Sequence, residues 1–162
     1  MADNEKIRIA LAGNPNCGKT TMFNNITGAK QHVGNYPGVT VEKKEGHTKF
    51  DGQDLLFIDL PGTYSLTARS MDELVARNVV INDNPDLIVN VLDASNLERN
   101  LYLAAQLIEL EVPTVLALNM SDVAEEMGFK YDTALLEKMT GTTVVRTVGR
   151  NNIGTKELLA AT

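Results

Sequence analysis

Apolar positions fall into short runs that switch between a period of two and a period near 3.6, and the switches mark the elements. Ile7, Ile9, Leu11 and Ala12 read as a short strand, and a helix begins near Lys19. Phe50, Leu55, Leu56, Phe57 and Ile58 surround Asp51-Gly52, which predicts a hairpin over about 41–59 and places one antiparallel edge strand on a sheet. Residues 87–92 and 112–118 are more continuously apolar, as strands covered by helices on both faces are. Between them Leu97, Leu101, Ala104, Ala105 and Ile108 recur at helical spacing, with Asn100 and Glu109 expected on the wetter side. Further helices are expected over 71–80, over 131–139 ended by Gly141, and over 153–160 after a short strand at 143–145. This alternation predicts a single three-layer α/β domain spanning 1–162, built on a six-stranded, mostly parallel sheet whose ligands collect at the carboxyl ends of the strands.

Composition narrows the partners. With 15 Lys and Arg against 21 Asp and Glu in 162 residues, the net charge of −6 provides no global attraction for nucleic acid or anionic lipid. One cysteine excludes an internal disulfide framework, and the polar start Met1-Ala2-Asp3-Asn4-Glu5 lacks the charge and apolar core of an export signal, so the domain reads as intracellular. No apolar run approaches the ~20 residues that span a bilayer as a helix, so membrane attachment is expected to need another segment or protein.

The candidate chemistry lies at the predicted strand ends. Gly13-Asn14-Pro15-Asn16-Cys17-Gly18-Lys19-Thr20 matches GxxxxGK[ST] between a strand and a helix, and Thr21 follows on that helix. Backbone N–H groups of such a loop wrap anionic oxygens, Lys19 is expected at the β and γ phosphates, and Thr20 gives its hydroxyl to Mg²⁺. Asp59-Leu60-Pro61-Gly62 has the DxxG form, in which the aspartate holds a Mg²⁺-bound water and Gly62 offers an N–H to the γ phosphate. Alone, it would also suit an ordinary Pro-Gly turn. Asn119-Met120-Ser121-Asp122 resembles NKxD. A carboxylate at Asp122 can accept both N1–H and the exocyclic N2–H of guanine, while Asn119 ties loops together and Met120 stands where that pattern has lysine. Alone, the same run would serve as a helix cap. Residues 32–41 lie where a γ-phosphate-sensing loop connects helix to hairpin, and Thr40 is the candidate Mg²⁺ ligand there.

Taken together, GNPNCGKTTMFNNITG, HVGNYPGVTVE, DLPGTYSL, DASNLERNLYL and NMSD resemble the GTP-binding domain of the ferrous iron transport protein B family, over nearly the whole chain. The resemblance implies a Ras-like P-loop GTPase fold, binding of GTP and GDP, and slow Mg²⁺-dependent hydrolysis acting as a switch for ferrous iron transport. It places the two switches at about 30–40 and 60–71. It also implies K⁺ stimulation, with Asn16 offering a side-chain oxygen and carbonyls near Gly34 and Tyr36 completing the ion's shell. Thr63 stands where Ras-like enzymes carry a water-orienting glutamine. Around the base, Thr147, Val148 and Gly149 occupy the position of an SA-containing loop. The family further implies a following helical regulatory domain and a transmembrane permease, and a place on the cytoplasmic face of the cell membrane; self-association is a further expected option, as another source of transition-state charge. A guanine-nucleotide-sensing module with negligible catalysis is the competing function.

Cys17 reads as a spacer in the phosphate loop, His32 and His47 are not assigned to iron, Glu42-Lys43-Lys44-Glu45 and Glu125-Glu126 read as solvated faces, and Leu97 and Leu101 read as core anchors.

Overall fold

In the computed structural model, which describes residues 5–28 and 30–162, the first apolar run forms strand β1 (Ile7–Gly13) and the lysine that follows opens helix α1 (Lys19–Thr27). The start at residues 1–4, expected to be a plain polar lead-in, lies outside the described residues. The chain continues through β2 (Gln31–Asn35), β3 (Glu42–Phe50), β4 (Gln53–Asp59), α2 (Met71–Asn78), β5 (Leu87–Asp93), α3 (Leu97–Glu109), β6 (Thr114–Asn119), α4 (Ser121–Glu126), α5 (Thr133–Thr140), β7 (Thr143–Arg146) and α6 (Thr155–Ala161).

All seven strands share one sheet in the order β2-β3-β4-β1-β5-β6-β7. The inner run β4-β1-β5-β6-β7 is parallel, with Leu11 beside Asp59 on one side and Val89 on the other. Strand β3 runs antiparallel to both neighbours. The hairpin turns at Asp51 (φ 50°) and Gly52 (φ 78°), two consecutive positive φ angles that match the right-handed twist of the flanking strands.

This is the expected three-layer α/β sheet with one strand more than expected. Strand β2 lies where an irregular loop was read, and it makes β3 the second strand of the sheet instead of its edge. The physical reason is that β2 has no buried face: from His32 to Asn35 every residue is exposed. A strand held only by ladder hydrogen bonds leaves no period-two signal.

Strand alternation builds one core on each face. Ile9, Leu11, Phe57, Val89 and Val91 pack with Phe23 and Ile26 of α1 and Leu158 of α6. Ala10, Ile58 and Ile88 pack on the other face with Val75 and Val79, Leu103 and Leu107. Phe23 and Phe57 are wholly buried, each contributing about 2–3 kcal/mol by removal from water. Leu97 and Leu101 pack at the edge of a third cluster around Leu92, Leu116 and Leu118, as expected of core anchors.

Asn100 departs from its expected wet position. It is 3% exposed, its Oδ1 accepts from Asp93 N–H at 3.1 Å and its Nδ2 donates to Asn96 O at 2.8 Å. It is buried because it satisfies the backbone where β5 turns into α3, a demand that amphipathic spacing does not reveal.

Candidate functional site

The carboxyl ends of β1, β4 and β6 deliver the three motifs to one edge of the sheet. Gly13 ends β1, and the loop that follows passes through Asn16 (φ 64°) and Gly18 (φ 89°) into the first turn of α1. At Gly18 the left-handed backbone coincides with a close approach, since a Cβ would run into Asn119 Nδ2. Asn14, Pro15, Asn16, Gly18, Lys19 and Thr20 line a cleft at this point, joined by Thr21, Gly62 and Asp72.

Lys19 Nζ lies 2.5 Å from Asp59 Oδ1, and both side chains are about nine-tenths buried. The phosphate-loop motif and the DxxG motif thus touch through opposite charges. The backbone after Asp59 is tied along the end of β1: Leu60 N–H donates to Leu11 O and Thr63 N–H to Gly13 O, both at 3.0 Å. Between these bonds Gly62 sits against Pro15, whose Cα and N lie 3.2 Å from where a Cβ would project. Asn14, 3% exposed, also lines the cleft, and neither its Nδ2 nor its Oδ1 has a partner among the described residues. A buried amide left unpaired at the wall of a cleft fits a polar ligand that completes it.

Asn119 joins the remaining parts. Its Nδ2 donates to Cys17 O at 3.0 Å, and its Oδ1 accepts from Thr147 Oγ1 at 3.0 Å and from Gly149 N–H at 2.9 Å. One buried amide therefore ties the phosphate loop, the end of β6 and the loop after β7 together. Asn25 of α1 adds a second tie by donating to Gly149 O at 2.7 Å. Met120 takes a left-handed backbone (φ 56°), and its terminal methyl approaches Gly18. Asp122 sits in the first turn of α4 with about a quarter of its side chain exposed, and it is ion-paired with Arg150.

In the loop after β7 the N–H groups of Thr147, Val148 and Gly149 are bonded to Leu118 O, Ile153 O and Asn119 Oδ1 respectively. All three are therefore committed within the protein.

The structure does not bring the first-switch residues to the cleft. Gly34 belongs to exposed β2, and Thr40 is exposed in the turn leading to β3. Tyr36 is 6% exposed among Leu60, Val75 and Val79, not at a flexible surface. Its N–H donates to Val41 O, its carbonyl accepts from Val39 N–H, and its hydroxyl donates to Asp59 O at 3.3 Å. Burial, followed by the nearby carboxylates of Asp59 and Glu45, pushes its phenol well above the ordinary value.

Cys17 is 1% exposed, and desolvation raises its thiol to about 11, outweighing the opposing pull of the Lys19 backbone N–H and ammonium. The electropositive helix start therefore does not make it a thiolate at neutral pH.

Among the described residues no group of three or more His, Cys, Asp and Glu side chains gathers to hold a metal. The expected donors for a cation near the cleft are the Thr20 hydroxyl and the Asp59 carboxylate, while Thr40 stands outside it in this conformation. This oxygen-only set suits Mg²⁺ provided that a ligand brings most of the coordination. For K⁺, the exposed Asn16 lines the cleft, while Gly34 and Tyr36 stand outside it in this conformation.

Sequence reasoning left three site residues unassigned. Asp72 lines the cleft from the first turn of α2, Asn25 holds the base loop, and Arg150 covers Asp122. Arg150 adjoins the run already under suspicion at 147–149, so its charge was the available signal; Asp72 and Asn25 carry none without the fold. The second switch is also latched: Leu66 N–H donates to Gln106 Oε1 at 2.7 Å, the Arg99 guanidinium stacks 4.0 Å over the Tyr64 ring, and Glu73 accepts from Ser65, Thr67 and Arg69 N–H.

Comparison with known proteins agrees with this geometry. The profile of the family described as Ferrous iron transport protein B matches residues 7–162. A fusion of Fe(2+) transport protein A with the Fe(2+) transporter FeoB from Porphyromonas gingivalis is 52% identical over 153 residues, 94% of this chain and 18% of that protein. The Fe(2+) transporter FeoB of Salmonella typhimurium is 48% identical over 97% of this chain and 21% of its own length. The chain thus spans about a fifth of the curated relatives it matches. Among solved structures, the cytosolic domain of the T. maritima FeoB iron transporter in its GMPPNP form superposes with a TM-score of 0.93 at 44% identity, over 96% of this chain and 62% of that one. The G domain of the same transporter gives 0.91 at 43%, over 97% and 96%.

Proposed function

The chain belongs to the ferrous iron transport protein B family, and from that footing we propose that it is a guanine-nucleotide switch that hydrolyses GTP to GDP and phosphate, with Mg²⁺ as cofactor. The observation that carries the reading is the Asn119 hub, which holds the phosphate loop at Cys17 and the loop after β7 at Thr147 and Gly149 at a fixed separation. A nucleotide has that form, an anionic end and a base at fixed separation.

In this reading the loop from Gly13 to Thr21 wraps the phosphates. Lys19 leaves Asp59 for the β and γ oxygens, Asn14 finds the partner it lacks, and Gly62 offers its N–H where no side chain stands in the way. Thr20, Thr40 and Asp59 would hold Mg²⁺, directly or through water, and when bound the ion neutralises phosphate charge. Asp122 accepts the two N–H donors of guanine, a pair that adenine does not present, and Met120 covers the purine. Hydrolysis is slow because Thr63 offers no amide to orient water. Closure of residues 30–40 onto the cleft, bringing Thr40 with the carbonyls of Gly34 and Tyr36, completes the site. There Asn16 and those carbonyls would hold K⁺, which would supply the positive charge that an arginine supplies elsewhere.

We place residues 1–162 as one nucleotide-binding unit of a longer transporter. The near-complete cover of the T. maritima G domain, against 62% of its cytosolic domain, supports a further cytosolic part, assigned here to a helical regulatory domain, with a permease beyond it. None of the described helices is long and apolar enough to cross a membrane; the position on the cytoplasmic face is proposed from the family. Iron transport control and self-association belong to that whole protein.

Phosphate release from GTP by the purified domain, compared with ATP, tests the reading. GTP-selective turnover supports the switch. Saturable GTP binding with background phosphate release means a sensing module, a second reading favoured by the absence of first-switch residues from the cleft lining among the described residues. Equal use of ATP overturns guanine recognition.

A further inference from the structure

We propose that Arg150 is a built-in competitor of guanine, occupying the base-reading carboxylate of Asp122 in the nucleotide-free domain and hastening nucleotide release. The inference rests on the assignment of Asp122 to guanine and deepens it.

The geometry points this way because the two ends of the pair are held differently. Asp122 is fixed in the first turn of α4, and its side chain is 24% exposed. Arg150 projects from the short turn at Gly149–Asn151, with 65% of its side chain in solvent. That turn is anchored just before Arg150 by Asn119 and Asn25, which bond the N–H and the carbonyl of Gly149. The Arg150 backbone is thereby kept at the base site while its side chain is free to swing. Its Nη2 bonds one carboxylate oxygen, Oδ2. Guanine needs both oxygens of Asp122, one for N1–H and one for N2–H, so a seated guanine and the seated guanidinium contend for the same acceptor. Arg150 moves onto Asp122 as the base loosens, which hastens release, and then sheathes a carboxylate that would otherwise stand unpaired. Because the pair is exposed, its grip is weak, and it tunes guanine affinity without abolishing it.

The test is Arg150→Ala, which keeps the backbone and removes only an exposed side chain, with thermal melting to verify the fold. Titration and stopped-flow dissociation of a fluorescent GDP derivative should give binding tighter by about twofold to fivefold and slower dissociation, the scale of an exposed ion pair. The gain should shrink when ionic strength is raised with choline chloride. It should also be smaller for inosine diphosphate, whose base lacks the N2 donors and leaves one Asp122 oxygen to the guanidinium. In an Asp122→Ala background Arg150→Ala should produce no tightening, because the contested group is gone; this arm also removes any general attraction of Arg150 for phosphate. Unchanged or weaker GDP binding by Arg150→Ala, or equal gains for guanosine and inosine nucleotides, would overturn the competitor role. Failure of Asp122→Ala itself to weaken GDP binding would instead overturn the guanine assignment on which it rests.

Discussion

Lys19 and Asp59 form a buried ion pair across the mouth of the phosphate cleft, Nζ to Oδ1 at 2.5 Å, with neither side chain more than 11% exposed. Each residue is thus committed to the other in this structure, and under the proposed function a triphosphate would take Lys19 while a Mg²⁺-bound water would take Asp59. Such an exchange of charge partners would couple cleft and switch, since Asp59 also begins the DxxG segment whose backbone is tied to β1.

Removing one member therefore acts twice. Lys19→Ala leaves a largely buried carboxylate alone and should lower nucleotide-free stability by about 3 kcal/mol, read by urea denaturation. In titrations it should weaken GTP far more than guanosine, and equal losses for the two would show that Lys19 is not at the phosphates. Lys19→Met with Asp59→Leu should recover most of the stability while leaving GTP binding poor, because an apolar pair packs but does not bind phosphate.

Asp122 should decide the base. Asp122→Ala is expected to weaken GTP and GDP by about 2–4 kcal/mol in direct titration, two charge-assisted hydrogen bonds being lost together. Asp122→Asn should move preference toward xanthine nucleotides, whose added carbonyl accepts from the amide. An unchanged order of bases in competition would remove Asp122 from the base site.

How much of this could be read along the chain depended on where the information lay. The phosphate loop was legible because Ile7, Ile9 and Leu11 declare a strand and Gly18-Lys19 opens a helix, so local pattern and motif agree. Asn119 was legible as a loop tie because few side chains offer a donor and an acceptor together, and the structure uses both. Strand β2 was not, since an exposed edge ribbon has no apolar period, nor was the burial of Asn100, which answers a backbone need at the end of β5. Arg150 was passed over because its partner lies 28 residues earlier on another element, and only the sheet brings them together.

Cys17 gives a test by pH. Burial raises its thiol to about 11, so the native state favours the neutral form. The stabilisation this represents is complete below the ordinary thiol value and is lost as pH rises through that value toward 11. At pH 8 roughly one native thiol in a thousand is ionised, against about one in ten when unfolded. Iodoacetamide should therefore modify the folded domain at least about a hundredfold more slowly than the urea-unfolded chain, with the native rate climbing steeply above pH 9. Equal rates at pH 8 would mean that Cys17 is an exposed thiolate and that the loop is not packed as described.

The proposed potassium site rests on Asn16, whose left-handed backbone (φ 64°) holds an exposed amide at the wall of the cleft. K⁺ suits a shell of amide, carbonyl and phosphate oxygens wider than Na⁺ prefers, and it is needed chiefly when charge builds up on the transferring phosphoryl group. Replacing Na⁺ by K⁺ at constant ionic strength should raise steady-state hydrolysis clearly, by up to the roughly 10³–10⁵-fold that one placed positive charge supplies in phosphoryl transfer. Asn16→Ala should erase most of that difference and leave GDP affinity nearly unchanged, since GDP lacks the phosphate that the ion would bridge. Thr40→Ala, by contrast, should depress the rate in both salts if Thr40 holds Mg²⁺ as proposed, because the monovalent cation's ligands stay in place. Equal wild-type rates in the two salts, or a K⁺ response that survives in Asn16→Ala, would return Asn16 to the role of a loop residue. The transition-state charge would then have to come from another chain, and a rate per molecule that rises with protein concentration would identify that chain as a second copy of this one.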